Sequence, residues 1–180
     1  MLSDAYRQQY DFNSICVIPT NMYGPTDNFS DDTSHVIPAI IKKIHNAIQK
    51  DDKDILLWGD GSPTRDFLFV KDTAKGIVLA AEKYNESEPV NLASGKEVTV
   101  KNIAELIKKK IGYKGNIIWD QSKPTGPQRR VVDITKAKKK FGYSVTTSLE
   151  NGINKTIQWY MKQTSWKLIL KNTTTNYLII

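Results

Sequence analysis

Gly59-Asp60-Gly61-Ser62-Pro63 separates two apolar runs, Ile55-Leu56-Leu57-Trp58 before it and Arg65-Asp66-Phe67-Leu68-Phe69-Val70 after it, and Lys71 to Tyr84 follows at helical spacing. Short apolar runs bounded by Gly, Pro and Asp read as buried strands joined by a turn. The helix that follows carries Ile77, Val78 and Ala81 on one face. The same alternation extends in both directions. Upstream, Val36 to Gln49 places Val36, Ile37, Ile40, Ile41, Ile44 and Ile48 at helical intervals, with Pro38 in the first turn, where a missing N–H costs little. Before it lie a loop-like stretch from Thr20 to Thr33, a strand over Ser14–Pro19 and a helix end over Leu2–Tyr10. Downstream, Pro89–Leu92 reads as a strand ending at Ser94-Gly95. Thr99 caps a helix through Ile111, with Gly112 past its end. Asn116–Trp119 reads as a strand, and Asp133–Phe141 and Ser148–Met161 as helices, the second capped by Ser148. Strands alternating with helices predict an α/β fold. From Thr164 to Ile180 the periodicity is lost and the sequence reads as a tail, which divides the chain into 1–163 and 164–180.

Composition narrows the class. The 180 residues include one cysteine, so neither an internal disulfide nor a Cys-based zinc site can form, and no metal ligands are expected. No apolar run approaches the ~20 residues that span a bilayer, and residues 1–14 hold no apolar signal core, so a cytoplasmic setting without membrane contact is expected. The net charge of +7 is uneven: Lys101 to Lys140 holds 12 basic and 3 acidic residues. Such a field attracts nucleic acid, an acidic membrane or a phosphorylated small molecule. A solvated helix face is the plainer reading of Lys108–Lys110 and Lys138–Lys140. The chain shows no helix-turn-helix, zinc or RNP signature, so no nucleic-acid partner is expected.

Two stretches carry chemistry: Pro19-Thr20-Asn21-Met22-Tyr23-Gly24-Pro25, and Trp58-Gly59-Asp60-Gly61-Ser62-Pro63-Thr64-Arg65-Asp66-Phe67-Leu68-Phe69-Val70-Lys71-Asp72. Together they resemble the extended short-chain dehydrogenase/reductase family, whose members act on nucleotide-sugars. Asp27-Asn28-Phe29, Ser34-His35-Val36-Ile37-Pro38-Ala39 and Ser122-Lys123-Pro124-x-Gly126 narrow the resemblance to the GDP-L-fucose synthases. These are NADP-dependent enzymes that epimerise and reduce a GDP-4-keto-6-deoxy-mannose. The resemblance covers roughly Leu2 to Tyr160 and corresponds to the family's carboxyl-terminal half. It implies the last pieces of a Rossmann sheet plus a smaller α/β substrate-binding domain. The Gly-rich phosphate turn and the catalytic Tyr-x-x-x-Lys lie upstream in full-length members and are not in this sequence. A truncated or split gene product is expected, inactive alone, with a GDP-sugar as ligand and either a second copy or a separate amino-terminal half as partner.

The resemblance assigns roles residue by residue. His35 matches an acid in epimerisation, a role that suits imidazole because its ordinary pKa lies near working pH. A helix-capping histidine is the plain alternative. Pro19, Thr20 and Asn21 would border the nicotinamide, and Asn21 would also touch the sugar, at a strand's carboxyl end where open α/β sheets bind ligands. Asn21 as a turn residue is the alternative. Arg65 would hold phosphate or ribose oxygens. Trp58 would pack against the guanine, or be ordinary core. Lys43 stands where many members have a diphosphate-binding Arg, keeping the charge and losing the bidentate fork. Lys123 would reach diphosphate or ribose, or be a solvated loop residue. Val36, Ile40 and Leu57 would line the nucleotide pocket, or be core. Cys16 reads as a buried structural thiol, and His45 as a surface residue. A neighbouring nucleotide-sugar epimerase or dehydratase, or a non-catalytic GDP-sugar-binding or dimerisation module, remains open on these residues alone.

Overall fold

The computed structural model describes residues 2–123 and 125–175, with side chains as far as Ser165. Pro124 of the Ser122–Gly126 motif and the last five residues of the tail lie outside the described residues. The elements in chain order are α1 (Leu2–Tyr10), β1 (Val17–Pro19), β2 (Asn21–Tyr23), α2 (Val36–Lys50), β3 (Asp54–Trp58), β4 (Thr64–Arg65), β5 (Phe67–Phe69), α3 (Val70–Lys83), β6 (Val90–Leu92), β7 (Val98–Thr99), α4 (Val100–Ile111), β8 (Asn116–Asp120), β9 (Arg129–Arg130), α5 (Thr135–Phe141) and α6 (Leu149–Thr175). The fold is α/β. Parallel pairs join β1 to β6, β2 to β5 and β3 to β8, while β4 runs antiparallel to β7 and parallel to β9.

β5 is the seam of the molecule. Successive strand side chains point to opposite faces. Phe67 and Phe69 accordingly enter one core, with Ile37, Ile41 and Ile44 of α2, Leu57 of β3, Ile103 and Ile107 of α4 and Ile153 of α6. Leu68 enters the other, with Ala80 of α3, Val90 and Leu92 of β6, and Phe141 and Tyr143. Asp66 breaks the expected Arg65–Val70 strand in two. Its buried carboxylate accepts hydrogen bonds from the Ser94 N–H (2.8 Å), the Ser94 hydroxyl (2.6 Å) and the Gly95 N–H (2.8 Å). The β4 and β5 segments on either side then join different sheets.

Local signals hold where they were strongest. The Thr99 hydroxyl accepts from the Asn102 N–H at 3.1 Å, and Gly112 takes the left-handed conformation with φ 82°. Ser148 Oγ accepts from the Asn151 N–H at 3.2 Å. Other readings change. The Thr20–Thr33 loop contains β2, and the expected Ser14–Pro19 strand shortens to Val17–Pro19. The final helix continues past Met161 to Thr175. On α3 the core face is the reverse of the apolar stripe: Ile77 and Val78 are exposed, and Thr73, Gly76 and Ala80 are buried. Small residues let the helix approach closely, since a Cβ on Gly76 would stand 2.7 Å from the Tyr143 ring and 2.9 Å from Leu92. Cys16 is half-buried rather than buried, just ahead of β1. His45 is no surface residue: its ring meets Tyr160 edge-on at 5.4 Å, and its Nδ1 is buried. Several cations of the basic run are paired, Lys110 with Glu150, Lys136 with Glu88, Lys140 with Glu86 and Arg129 with Glu97. Among the described residues no helix is long and apolar enough to cross a membrane.

Candidate nucleotide-sugar site

Two loops of one design shape the site. β3 and β8 lie in register with Trp58 opposite Asp120, and the Gly59 N–H donates to the Asp120 carbonyl at 2.9 Å. An aspartate just past β3 and another at the end of β8 each close a tight turn. Asp60 accepts from the N–H and hydroxyl of Ser62, and Asp120 from the N–H and hydroxyl of Ser122. This is the local side-chain-to-backbone bonding that makes Asp a turn former. The same bonds hold both carboxyls below the usual Asp range, first through the Ser62 N–H in one case and the Ser122 hydroxyl in the other. Gly61 and Pro63 turn their carbonyls to the first N–H groups of α4, on Lys101 and Val100. One loop therefore closes β3 and starts α4.

The sequence-derived residues fall into two neighbouring cavities that share Val36. One, of about 60 Å³, is lined by Asn21, His35, Val36 and Arg65 together with Tyr23 and Phe67. The other, of about 280 Å³, is lined by Val36, Ile40, Lys43, Leu57 and Trp58, with Asp31, Asp32 and Trp119. His35 stands at the start of α2 and its ring makes no capping hydrogen bond. The ring is exposed, beside Val36. Asn21 donates its carboxamide N–H to the Asp66 carbonyl at 2.9 Å, which fixes its orientation toward the cavity it lines. Arg65 spends one N–H on the Thr64 carbonyl at 2.7 Å; a guanidinium carries five donors, so most of the fork is left for an anion. Lys43 Nζ donates to the Leu56 carbonyl at 2.8 Å, which parks the cation over the edge of β3 with donors to spare. Trp58 is 65% exposed and is not core, whereas Ile40 and Leu57 are both core and cavity floor. Tyr23 is structural. Its hydroxyl donates to the Leu149 carbonyl at 3.3 Å, and burial, then the Asp72 charge, push its phenol up out of working range.

Three residues stay outside these cavities. Lys123 is exposed on the Asp120 turn, its N–H on the Asp120 carbonyl at 3.2 Å. Pro19 ends β1 opposite Leu92, and the Thr20 N–H and hydroxyl donate to the carbonyls of Leu92 and Asp66. The Thr20 hydroxyl and the Asn21 amide are thus already engaged within the chain. The motif reading passed over Asp31, Asp32 and Trp119. Asp31 and Asp32 lie two and three positions beyond the quoted Asp27–Phe29 motif, and Trp119 looked like one residue of an apolar strand. It also passed over a more voluminous groove, about 650 Å³, on the far side of Tyr23 and Phe67, lined by Ser94, Lys96, Lys138 and the Ser144–Leu149 segment.

Side chains from β2, α2, β3, β4 and β8 thus line two adjoining cavities, flanked by an exposed histidine and by an arginine with donors to spare. The chain belongs to the NAD dependent epimerase/dehydratase family, whose model matches residues 1–93. It is 40% identical over 158 residues to GDP-L-fucose synthase 1 of Arabidopsis thaliana, covering 88% of this chain and 49% of that protein. The fold matches a GDP-L-fucose synthetase of Naegleria fowleri with a TM-score of 0.84 and 28% identity, over 92% of this chain and 52% of that one. The form of that synthetase bound to NADP matches at a TM-score of 0.82 and 29% identity, over 92% of this chain and 53% of that one. The chain therefore spans about half the length of the relatives it matches.

Proposed function

We propose that the chain is the nucleotide-sugar-binding half of a GDP-L-fucose synthase-type enzyme, which converts GDP-4-keto-6-deoxy-D-mannose to GDP-L-fucose by epimerisation and NADPH-dependent reduction. The observation that carries this reading is Val36. It lines both cavities, so the His35–Asn21–Arg65 group and the Lys43–Trp58 group flank adjoining spaces. A sugar fits beside His35 and Asn21, the diphosphate beside Lys43 and the Arg65 fork, and the base against Trp58. The keto group at carbon 4 acidifies the protons on carbons 3 and 5. A base on the amino-terminal half takes one of them, which gives an enolate, and protonated His35 gives a proton to the opposite face and is left as neutral imidazole. An exposed imidazole with no side-chain hydrogen bond among the described residues is available for that transfer. NADPH supplies the hydride when bound.

The isolated chain binds the nucleotide-sugar and does not turn over. Turnover needs an amino-terminal dinucleotide-binding half, on the same polypeptide or on a partner. Exposed Ile18 of β1, Met22 of β2 and Ile77 and Val78 of α3 support such a partner, because large apolar side chains are left uncovered on elements that contact one another. Titration calorimetry with GDP and UDP tests the nucleotide assignment. GDP is expected to bind more tightly, and equal or reversed affinities would contradict it.

A further inference from the structure

The 280 Å³ cavity has an aromatic side, an apolar floor and an acidic rim, and the last of these has no role in the reading above. Trp119 stands on β8 opposite Leu57, and it and Trp58 both line the cavity. Its ring is fixed by the Gly61 turn, because a Cβ on Gly61 would stand 2.7 Å from two of the indole carbons and the Gly61 φ is +75°. Both conditions exclude other residues at 61 without movement of the ring. The floor is Ile40 and Leu57. The loop that carries Asp31 and Asp32 lines the same cavity, and it is tied down. Phe29 stacks on Tyr160 with centroids 4.4 Å apart, Lys42 Nζ donates to the Phe29 carbonyl at 2.9 Å, and Asn28 Nδ2 donates to Thr33 Oγ1 at 2.8 Å. Asp31 is neutralised by Lys42 at 2.8 Å. Asp32 makes no hydrogen bond or ion pair among the described residues.

We infer that Trp119 and Asp32 are base-specificity residues, Trp119 stacking on the guanine of the GDP-sugar and Asp32 accepting hydrogen bonds from its Watson–Crick edge. The inference rests on the GDP-sugar reading and deepens it. An ionised carboxylate only accepts, and its two oxygens suit two donors side by side. Guanine presents that pair, N1–H beside the N2 amine. Adenine sets an acceptor nitrogen next to its amine, and uracil flanks a single N3–H with two carbonyls, so each places a lone pair against the carboxylate. Flat indoles contribute stacking that is indifferent to base identity. Discrimination therefore falls to Asp32, and a polar site rejects an analogue lacking the matching group far better than an apolar one does.

The test is calorimetry of the full chain with GDP and with inosine diphosphate, which lacks only the N2 amine. The wild-type chain is expected to prefer GDP by roughly tenfold, the loss of one charge-assisted hydrogen bond. Asp32→Ala is expected to bring the two affinities together. The ratio removes any effect of the lost charge on the shared diphosphate, and the exposed loop position leaves folding intact. Trp119→Ala is expected to weaken both ligands by about tenfold with the ratio kept, while Trp119→Phe restores most of the affinity. A GDP preference that survives Asp32→Ala, or no preference in the wild-type chain, would overturn the role of Asp32. Undiminished binding by Trp119→Ala would overturn that of Trp119. Failure of the wild-type chain to bind GDP at all would overturn the underlying reading, and this inference with it.

Discussion

The cavities around Val36 and the carboxyl end of β1 are both places where an α/β sheet of this kind would bind a ligand, and they are built differently. Around Val36, side chains arrive from α2, β3, β4 and β8 and from the loops before α2, and the polar ones keep unused donors: Arg65 spends one of five, and Lys43 one of three. At the end of β1 a single stretch, Pro19–Asn21, supplies one wall, and its Thr20 and Asn21 side chains already bond to the Asp66 carbonyl. On the proposed reading, the first region recognises the nucleotide-sugar with side chains this chain carries, and the second offers a cofactor one edge.

The comparison breaks most readily at His35. In an enzyme reunited with an amino-terminal half, His35→Gln should leave GDP binding unchanged and slow epimerisation by roughly 100-fold or more, the range of general acid catalysis. Solvent-deuterium exchange at carbons 3 and 5 separates that step from reduction. Unchanged exchange and epimerisation would reduce His35 to a residue that begins α2. Next is Arg65→Ala, expected to weaken GDP binding to the chain by roughly 1.5–3 kcal/mol if a charged hydrogen bond is lost. An unaltered affinity in calorimetry would leave the fork without a ligand.

The smallest effect concerns Asp72, which joins the two cores by holding the segment before α6 to α3. Burial pushes its carboxyl up, but the Thr146 hydroxyl at 2.7 Å and the N–H groups of Thr146 and Thr147, both at 3.1 Å, outweigh it and keep the carboxyl below the ordinary value. A depressed pKa stabilises the fold above the unfolded value, near pH 4, and that contribution is lost as pH falls through the folded value. Asp72→Asn should therefore lower stability at pH 7 by about 1–2 kcal/mol and flatten the loss below pH 4. Urea titrations at pH 7 and pH 3 read both. An equal loss at the two pH values would show that the bonds do not depend on the charge.

The fold was legible wherever structure is set by neighbours in sequence. The Thr99 cap and the Gly112 terminus are local and stand as read, and so does the α2 stripe from Ile37 to Ile44, while Ile48 at its end is exposed. The short strands β2, β4, β7 and β9 have two or three residues each and exist only through pairing with distant partners, which no periodicity records. The α3 face misled because large apolar residues mark a core stripe only when the core packs against them. Here Gly76 and Ala80 allow close contact and Ile77 and Val78 point away. His45 looked like a surface residue because its partner, Tyr160, is far along the chain. At the site, motif context located His35, Asn21, Arg65, Lys43 and Trp58 around two adjoining cavities. It missed Asp32 and Trp119, whose meaning comes from the wall opposite each.

On the proposed reading this chain carries a nucleotide-sugar site and only an edge of a cofactor site. Parallel titrations of the purified chain with GDP and with NADPH, the first by calorimetry and the second by NADPH fluorescence, test it most directly. The account predicts saturable binding of GDP and none of NADPH. Saturable micromolar binding of NADPH, with GDP inert, would contradict it.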